Sequence, residues 1–137
     1  MVRRTTTRHI EDEHQKALIT WSKSIRVTSS ETLYDFLFAI PNGGKRDSRE
    51  AARLKRQGVK AGVSDLFLPI PMNGYSGLWI ELKRPIVKGQ KKPSTSESQL
   101  IWLERMERVG YKTVLAYGWE QAKDAIEAYL KQQEKAA

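Results

Sequence analysis

The sequence predicts an α/β domain built on a central mixed four-stranded sheet flanked by helices. Two observations carry that expectation. Segments with apolar residues at three- and four-residue steps alternate with short apolar runs closed by glycine or proline, in the order α, β, α, β, β, α, β, α. The chain has 137 residues, enough for one domain with one core.

Residues 1–8 read as a flexible basic arm, 9–130 as the domain and 131–137 as a polar tail. Ile10, His14, Ala17, Leu18 and Trp21 recur at helical spacing and predict a helix from Arg8 to Lys23. Glu11 and Gln15 lie one turn apart and share the face beside that stripe. His14 sits next to Gln15, and a lone histidine there reads as a packing or surface residue. Thr28-Ser29-Ser30 is a break. Leu33 to Ile40 is aromatic and aliphatic and runs into Pro41-Asn42-Gly43-Gly44, which predicts a buried strand closed by a turn.

Asp47 has the position of a helix N-cap, with Glu50 as its capping-box partner. That helix passes Ala51, Ala52 and Leu54 to Gln57 and stops at Gly58. The loop from Gly58 to Gly62 has two glycines and can take left-handed geometry. Leu66-Phe67-Leu68 is a short strand stopped by Pro69 and Pro71, and Leu78 to Lys83 is the next, ended by Pro85. The two are expected to form a hairpin. Lys88 to Pro93 is a basic loop. Ser96 caps the next helix, with Gln99 at capping-box spacing, Leu100, Leu103, Met106 and Val109 as the apolar stripe, and Gly110 as the stop. Tyr111 to Tyr117 is the fourth strand. Gly118 opens a last helix that turns Ala122, Ala125, Ile126, Tyr129 and Leu130 inward.

The formal net charge of +8 suggests a polyanionic partner, and nucleic acid is the commonest. The absence of cysteine excludes a disulfide framework and a thiolate metal site. No apolar run approaches the length of a membrane span, and the N-terminus lacks the apolar segment of a secretory signal. A cytoplasmic setting is the expectation. Gly43-Gly44-Lys45 lacks the spacing and the Ser or Thr of a phosphate-binding P-loop.

The chemistry concentrates at Asp65, Glu81 and Lys83. Alternate side chains of a strand share a face, so Glu81 and Lys83 stand together, roughly 6.6 Å apart along the strand. A carboxylate inside the apolar run Gly77 to Leu82 must be paired or metal-bound. If the Asp65 strand pairs with the Glu81 strand, two carboxylates and one amine converge. That set suits a hard divalent cation and a phosphate under hydrolysis. On these residues alone, a turn-forming Asp65 and an internal Glu81–Lys83 salt bridge stay open. Asn42, Arg46, Arg53 and Lys55 are candidates for phosphate contacts near the cluster. Lys88, Lys91 and Lys92 are candidates for a second DNA segment just past it. For the first four the plain alternative is ordinary surface charge.

Asp65 followed by Glu81-Leu82-Lys83 resembles the signature of the PD-(D/E)XK nuclease superfamily. More narrowly, the chain resembles the virus-type replication-repair nuclease (VRR-NUC) domain of stand-alone phage or bacterial type. The resemblance rests on an ordered set across residues 9–130: Glu11 and Gln15; Pro41-Asn42-Gly43-Gly44; Ala51-Ala52-Arg53-Leu54-Lys55 with Gly58-Val59; Ala61-Gly62-Val63-Ser64-Asp65-Leu66; Gly77-Leu78, Ile80-Glu81-Leu82-Lys83; Ser96 and Gln99; and Gly110-Tyr111. Ser64 stands where the family often has proline, a position without side-chain chemistry.

The resemblance implies a restriction-endonuclease-like αβββαβ core. It implies that Asp65 and Glu81 ligate Mg²⁺ or Mn²⁺ with the Leu82 backbone carbonyl, and that Lys83 acts on the attacking water. Glu11 would serve the metal site, through water or a second ion, and Gln99 would orient Lys83 or the substrate. Gln15 would lie on the DNA-binding side. It further implies a structure-selective DNA endonuclease for branched or flapped DNA, acting as a homodimer in the manner of a Holliday-junction resolvase. The rival expectation is a non-catalytic nucleic-acid-binding protein on the same fold.

Overall fold

The computed structural model describes residues 7–41 and 47–131. Asn42 and Arg46, and most of the predicted arm and tail, lie outside the described residues. The elements are helix α1 (Thr7–Ser22), strand β1 (Phe38–Ala39), helix α2 (Ser48–Arg56), strands β2 (Leu66–Leu68) and β3 (Leu78–Lys83), helix α3 (Glu97–Arg108), strand β4 (Lys112–Tyr117) and helix α4 (Trp119–Leu130). The sheet runs β1-β2-β3-β4. β1–β2 and β2–β3 pair antiparallel and β3–β4 pairs parallel, so the sheet is mixed as expected. No helix among the described residues is long and apolar enough to cross a membrane.

The side-chain alternation of β2 and β3 divides the molecule. Leu66, Leu68, Leu78, Ile80 and Leu82 point to one face, where they pack with Leu18 of α1 and with Ala122, Ile126 and Tyr129 of α4. Each fully buried leucine or isoleucine there stabilises the fold by about 1.5–3 kcal/mol. The other face carries Phe67, Trp79, Glu81 and Lys83. Phe67 and Trp79 stack at 4.3 Å between ring centroids, and Phe38 meets Phe67 edge-on at 5.8 Å. The aromatic row and the candidate site therefore occupy one side of the sheet.

Two expectations are corrected. Leu33 to Ile40 is not a buried strand. Leu33–Asp35 is a 3-10 turn, and only Phe38 and Ala39 pair as a short, exposed strand. The reason is local: the Asp35 carboxylate accepts from the Thr32 N–H at 2.8 Å and closes a turn. The buried residues, Leu33 and Leu37, fall four apart, a helical spacing rather than an alternating one. The stripe assigned to α3 is also displaced. Leu100 and Val109 are exposed, at 52% and 61%. Contact with the sheet is made through Trp102, which meets Trp79 edge-on at 5.3 Å, with Leu103 and Met106 half-buried alongside.

The starts of α2 and α3 are capped by side chains, Asp47 and Ser96. Asp47 accepts from the Glu50 N–H at 2.8 Å, and the Glu50 carboxylate pairs with Arg53 at 2.8 Å. No residue of α2 is buried. Gly62 has φ +85°, and a Cβ there would collide with the Ser98 backbone carbonyl at the start of α3. Only glycine lets the loop before β2 lie so close to that helix.

Candidate active site

The β2–β3 register pairs Leu66 with Ile80, so one step further places Asp65 opposite Glu81. Asp65 Oδ2 accepts from the Leu82 N–H at 2.7 Å, a bond that ties the carboxylate to the C-terminal end of β3. Glu81 is 1% exposed and Lys83 8%, and they share the face that strand alternation requires. Lys83 Nζ lies 3.5 Å from Glu81 Oε1.

Gln99, on the first turn of α3, joins the two. Its Oε1 accepts from Lys83 Nζ at 2.9 Å and from the Ser96 N–H at 2.8 Å. Both of those partners can only donate, which identifies the facing atom as oxygen. Its Nε2 then faces Glu81 Oε1 and donates to it at 2.5 Å. The Ser96 hydroxyl accepts from the Gln99 N–H in return, at 3.2 Å. The capping box of α3 and the anchoring of Lys83 and Glu81 are thus made by one side chain.

All three acidic groups are held above the ordinary carboxylate range. Burial, and then the charge of Asp65, pushes Glu81 up to about 7 against the opposing pull of Lys83. Asp65 is raised by burial, opposed by the Leu82 N–H and Lys83. Glu11 of α1 is raised by burial and by Asp65, and is pulled down by Lys83, the Arg84 backbone amide and the Arg84 guanidinium. Glu11 therefore lies within the electrostatic reach of the cluster, without entering the hydrogen-bonded set around Gln99.

Glu81 Oε2 is buried with no hydrogen-bond partner in the described structure. A bare carboxylate oxygen in such a place is costly and is suited to a cation. Among the described residues, no three His, Cys, Asp or Glu side chains gather closely enough to hold a metal alone. Two carboxylates completed by backbone and water oxygens nonetheless fit Mg²⁺, which usually retains several waters.

The other predicted residues spread around this centre. Lys55 lines a cleft of about 680 Å³ between α2 and α3 that reaches Asp65 and Gln99. Lys60, missed in the sequence, lines it too, with Leu54, Val59 and Val63. The Arg53 guanidinium is engaged by Glu50. Gln15 lies one turn beyond Glu11 on α1. Lys88 and Lys91 are exposed on the loop after β3. That loop is braced by Arg84, which donates to the Lys91 carbonyl at 2.6 Å. Lys92 sits over the Tyr117 ring at 5.1 Å.

Two comparisons with known proteins show a family and a fold. A family model described as the VRR-NUC domain matches residues 6–120. A solved structure described as a VRR_NUC domain protein is 31% identical, with a TM-score of 0.75, over 93% of this chain and 91% of its own. No curated protein matches the chain.

Proposed function

The chain belongs to the VRR-NUC domain family, a nuclease-type family, and on that premise we propose that it is a divalent-metal-dependent endonuclease of DNA. The observation that carries the reading is the unpaired, buried Glu81 Oε2 beside Asp65, on the face where Gln99 pins Lys83. A structural salt bridge accounts for Glu81 Oε1 but leaves the buried Oε2 without a partner.

Asp65, Glu81 and the Leu82 carbonyl would hold Mg²⁺ or Mn²⁺, with Glu11 reaching it through water. When bound, the ion lowers the pKa of a water and neutralises charge growing on the phosphate. Lys83 has one bond to Gln99 and further N–H groups to offer, so it is placed to orient the attacking water and stabilise the pentavalent phosphorus. Gln99 keeps that amine directed by accepting from it. Its amide nitrogen donates to Glu81 Oε1, which leaves Oε2 for the cation.

The substrate reading is a DNA with an unpaired or branched segment. The cleft beside Asp65 has the size of small-ligand sites. Lys55 and Lys60 complement a phosphate backbone there, and its aliphatic lining suits an unstacked nucleotide. Lys88, Lys91 and Lys92 supply a second basic surface. A two-fold dimer resembling a junction resolvase would extend that surface, and the aromatic row ending at the half-exposed Phe38 offers a contact for it. The test is incubation with duplex, flap, single-stranded and four-way-junction DNA, with Mg²⁺, Mn²⁺ or chelator. Metal-dependent products on the branched substrates are expected. Binding without products on any of them would return the protein to the class of nucleic-acid-binding modules.

A further inference from the structure

We propose that His14 is a positioning residue of the site: it caps the start of α4 from across the fold and so fixes the placement of α1 that presents Glu11. The inference rests on the proposed role of Glu11.

The first N–H groups of a helix need acceptors from outside it. Usually the N-cap side chain supplies one. The N-cap of α4 is Gly118, which has no side chain to offer. The acceptor comes instead from α1: the Trp119 N–H donates to His14 Nδ1 at 3.0 Å, between residues 105 positions apart. A backbone N–H can only donate, so Nδ1 carries a lone pair and the ring proton is on Nε2.

This bond lies two peptide units from the catalytic strand. The Gly118 N–H donates to the Lys83 carbonyl at 2.9 Å. Gly118 has φ +91°, and a Cβ there would stand 3.3 Å from Pro85 and 3.7 Å from His14 Cε1. The imidazole is therefore packed against the turn that ends β4, and that turn is bonded to the end of β3.

Glu11 precedes His14 by three residues, so the two share a face of α1. One residue of helix rotation is about 100°. A slip of that size would carry Glu11 away from Lys83, Asp65 and Arg84, the groups that act on it. The apolar contacts of Leu18 with α4 hold the helices together but are non-directional. The His14 bond is directional, and it lies one turn from the carboxylate.

The experiment is a double-mutant cycle on single-turnover DNA cleavage, with Mg²⁺ affinity measured by calorimetry as a readout independent of cleavage. His14→Ala should lower the rate at saturating DNA, or the Mg²⁺ affinity, by about 10–100-fold, the range for groups that orient metal ligands. His14→Asn puts an amide oxygen where Nδ1 accepts and should restore both to within about threefold. It also keeps the proposal testable if the alanine variant unfolds. In a Glu11→Gln background, His14→Ala should cost nothing further. If the penalty persists in that background, or asparagine fails to rescue, His14 is only a structural cap and the proposal falls while the role of Glu11 stands. If Glu11→Gln alone leaves both readouts unchanged, the role of Glu11 falls and the proposal falls with it.

Discussion

Replacing Glu81 by glutamine should make the metal-free protein more stable above neutral pH. Glu81 sits 1% exposed, and burial and Asp65 raise it from 4.5 to about 7. A carboxyl raised in the folded state binds its proton more tightly there than in the unfolded chain. Its contribution is fully present below about pH 4.5 and is lost as the pH rises through about 7. The interval from 4.5 to about 7 corresponds to at most about 3 kcal/mol. Glutamine keeps an oxygen to accept from Gln99 Nε2, and Lys83 keeps its bond to Gln99, so little else changes. Asp65 and Glu11 are also raised, but they are present in both proteins. The assay is urea unfolding in chelator from pH 4.5 to 8.5. The stability curves should diverge across that window, with Glu81→Gln ahead at the alkaline end. Adding Mg²⁺ at pH 8 should favour the unmodified protein. Parallel curves in chelator would refute the account of Glu81 as a carboxylate held at a cost for a cation.

Three other perturbations separate the parts of the account. Lys83→Ala should slow single-turnover cleavage by about 10²-fold or more, as for a positioned catalytic group; an unchanged rate would make Lys83 purely structural. Gly62→Ala should destabilise by more than the roughly 1–2 kcal/mol of a left-handed residue, because it also strikes the Ser98 carbonyl. Gly58→Ala is the control, since its added Cβ meets nothing within 4 Å; equal costs in thermal unfolding would contradict the close approach. Changing Lys88, Lys91 and Lys92 together to alanine should reduce the salt slope of DNA binding by about two to three, if each neutralises a phosphate. An unaltered slope in anisotropy titrations would remove that loop from the interface.

Much of the fold was legible because its signals are local. The alternation through Leu78 to Lys83 puts Glu81 and Lys83 on one face in any strand, and the Ser96–Gln99 spacing marks a helix start in any context. The misreadings came from one local turn and one tertiary contact. Leu33 to Ile40 has the composition of a strand, yet its two buried leucines obey a spacing of four around the Thr32–Asp35 turn. On α3, Leu100 and Val109 looked like core, but the sheet presents Trp79, and Trp102 is the residue that meets it. His14 read as a packing or surface residue because its partner is the backbone N–H of Trp119, and no side-chain pattern announces a backbone donor. Gln99 was visible twice, as a capping residue and as a site residue through the family resemblance. The structure shows both sets of contacts in one side chain.

Asp65→Asn removes one of the two carboxylates proposed to hold a cation for DNA hydrolysis. Asparagine keeps an oxygen for the Leu82 N–H, so the sheet should stand. Cleavage of a labelled branched DNA in Mg²⁺ and binding of the same DNA in chelator should be measured for both proteins. In the variant, binding should persist while metal-dependent cleavage disappears. Undiminished cleavage by Asp65→Asn would contradict that role.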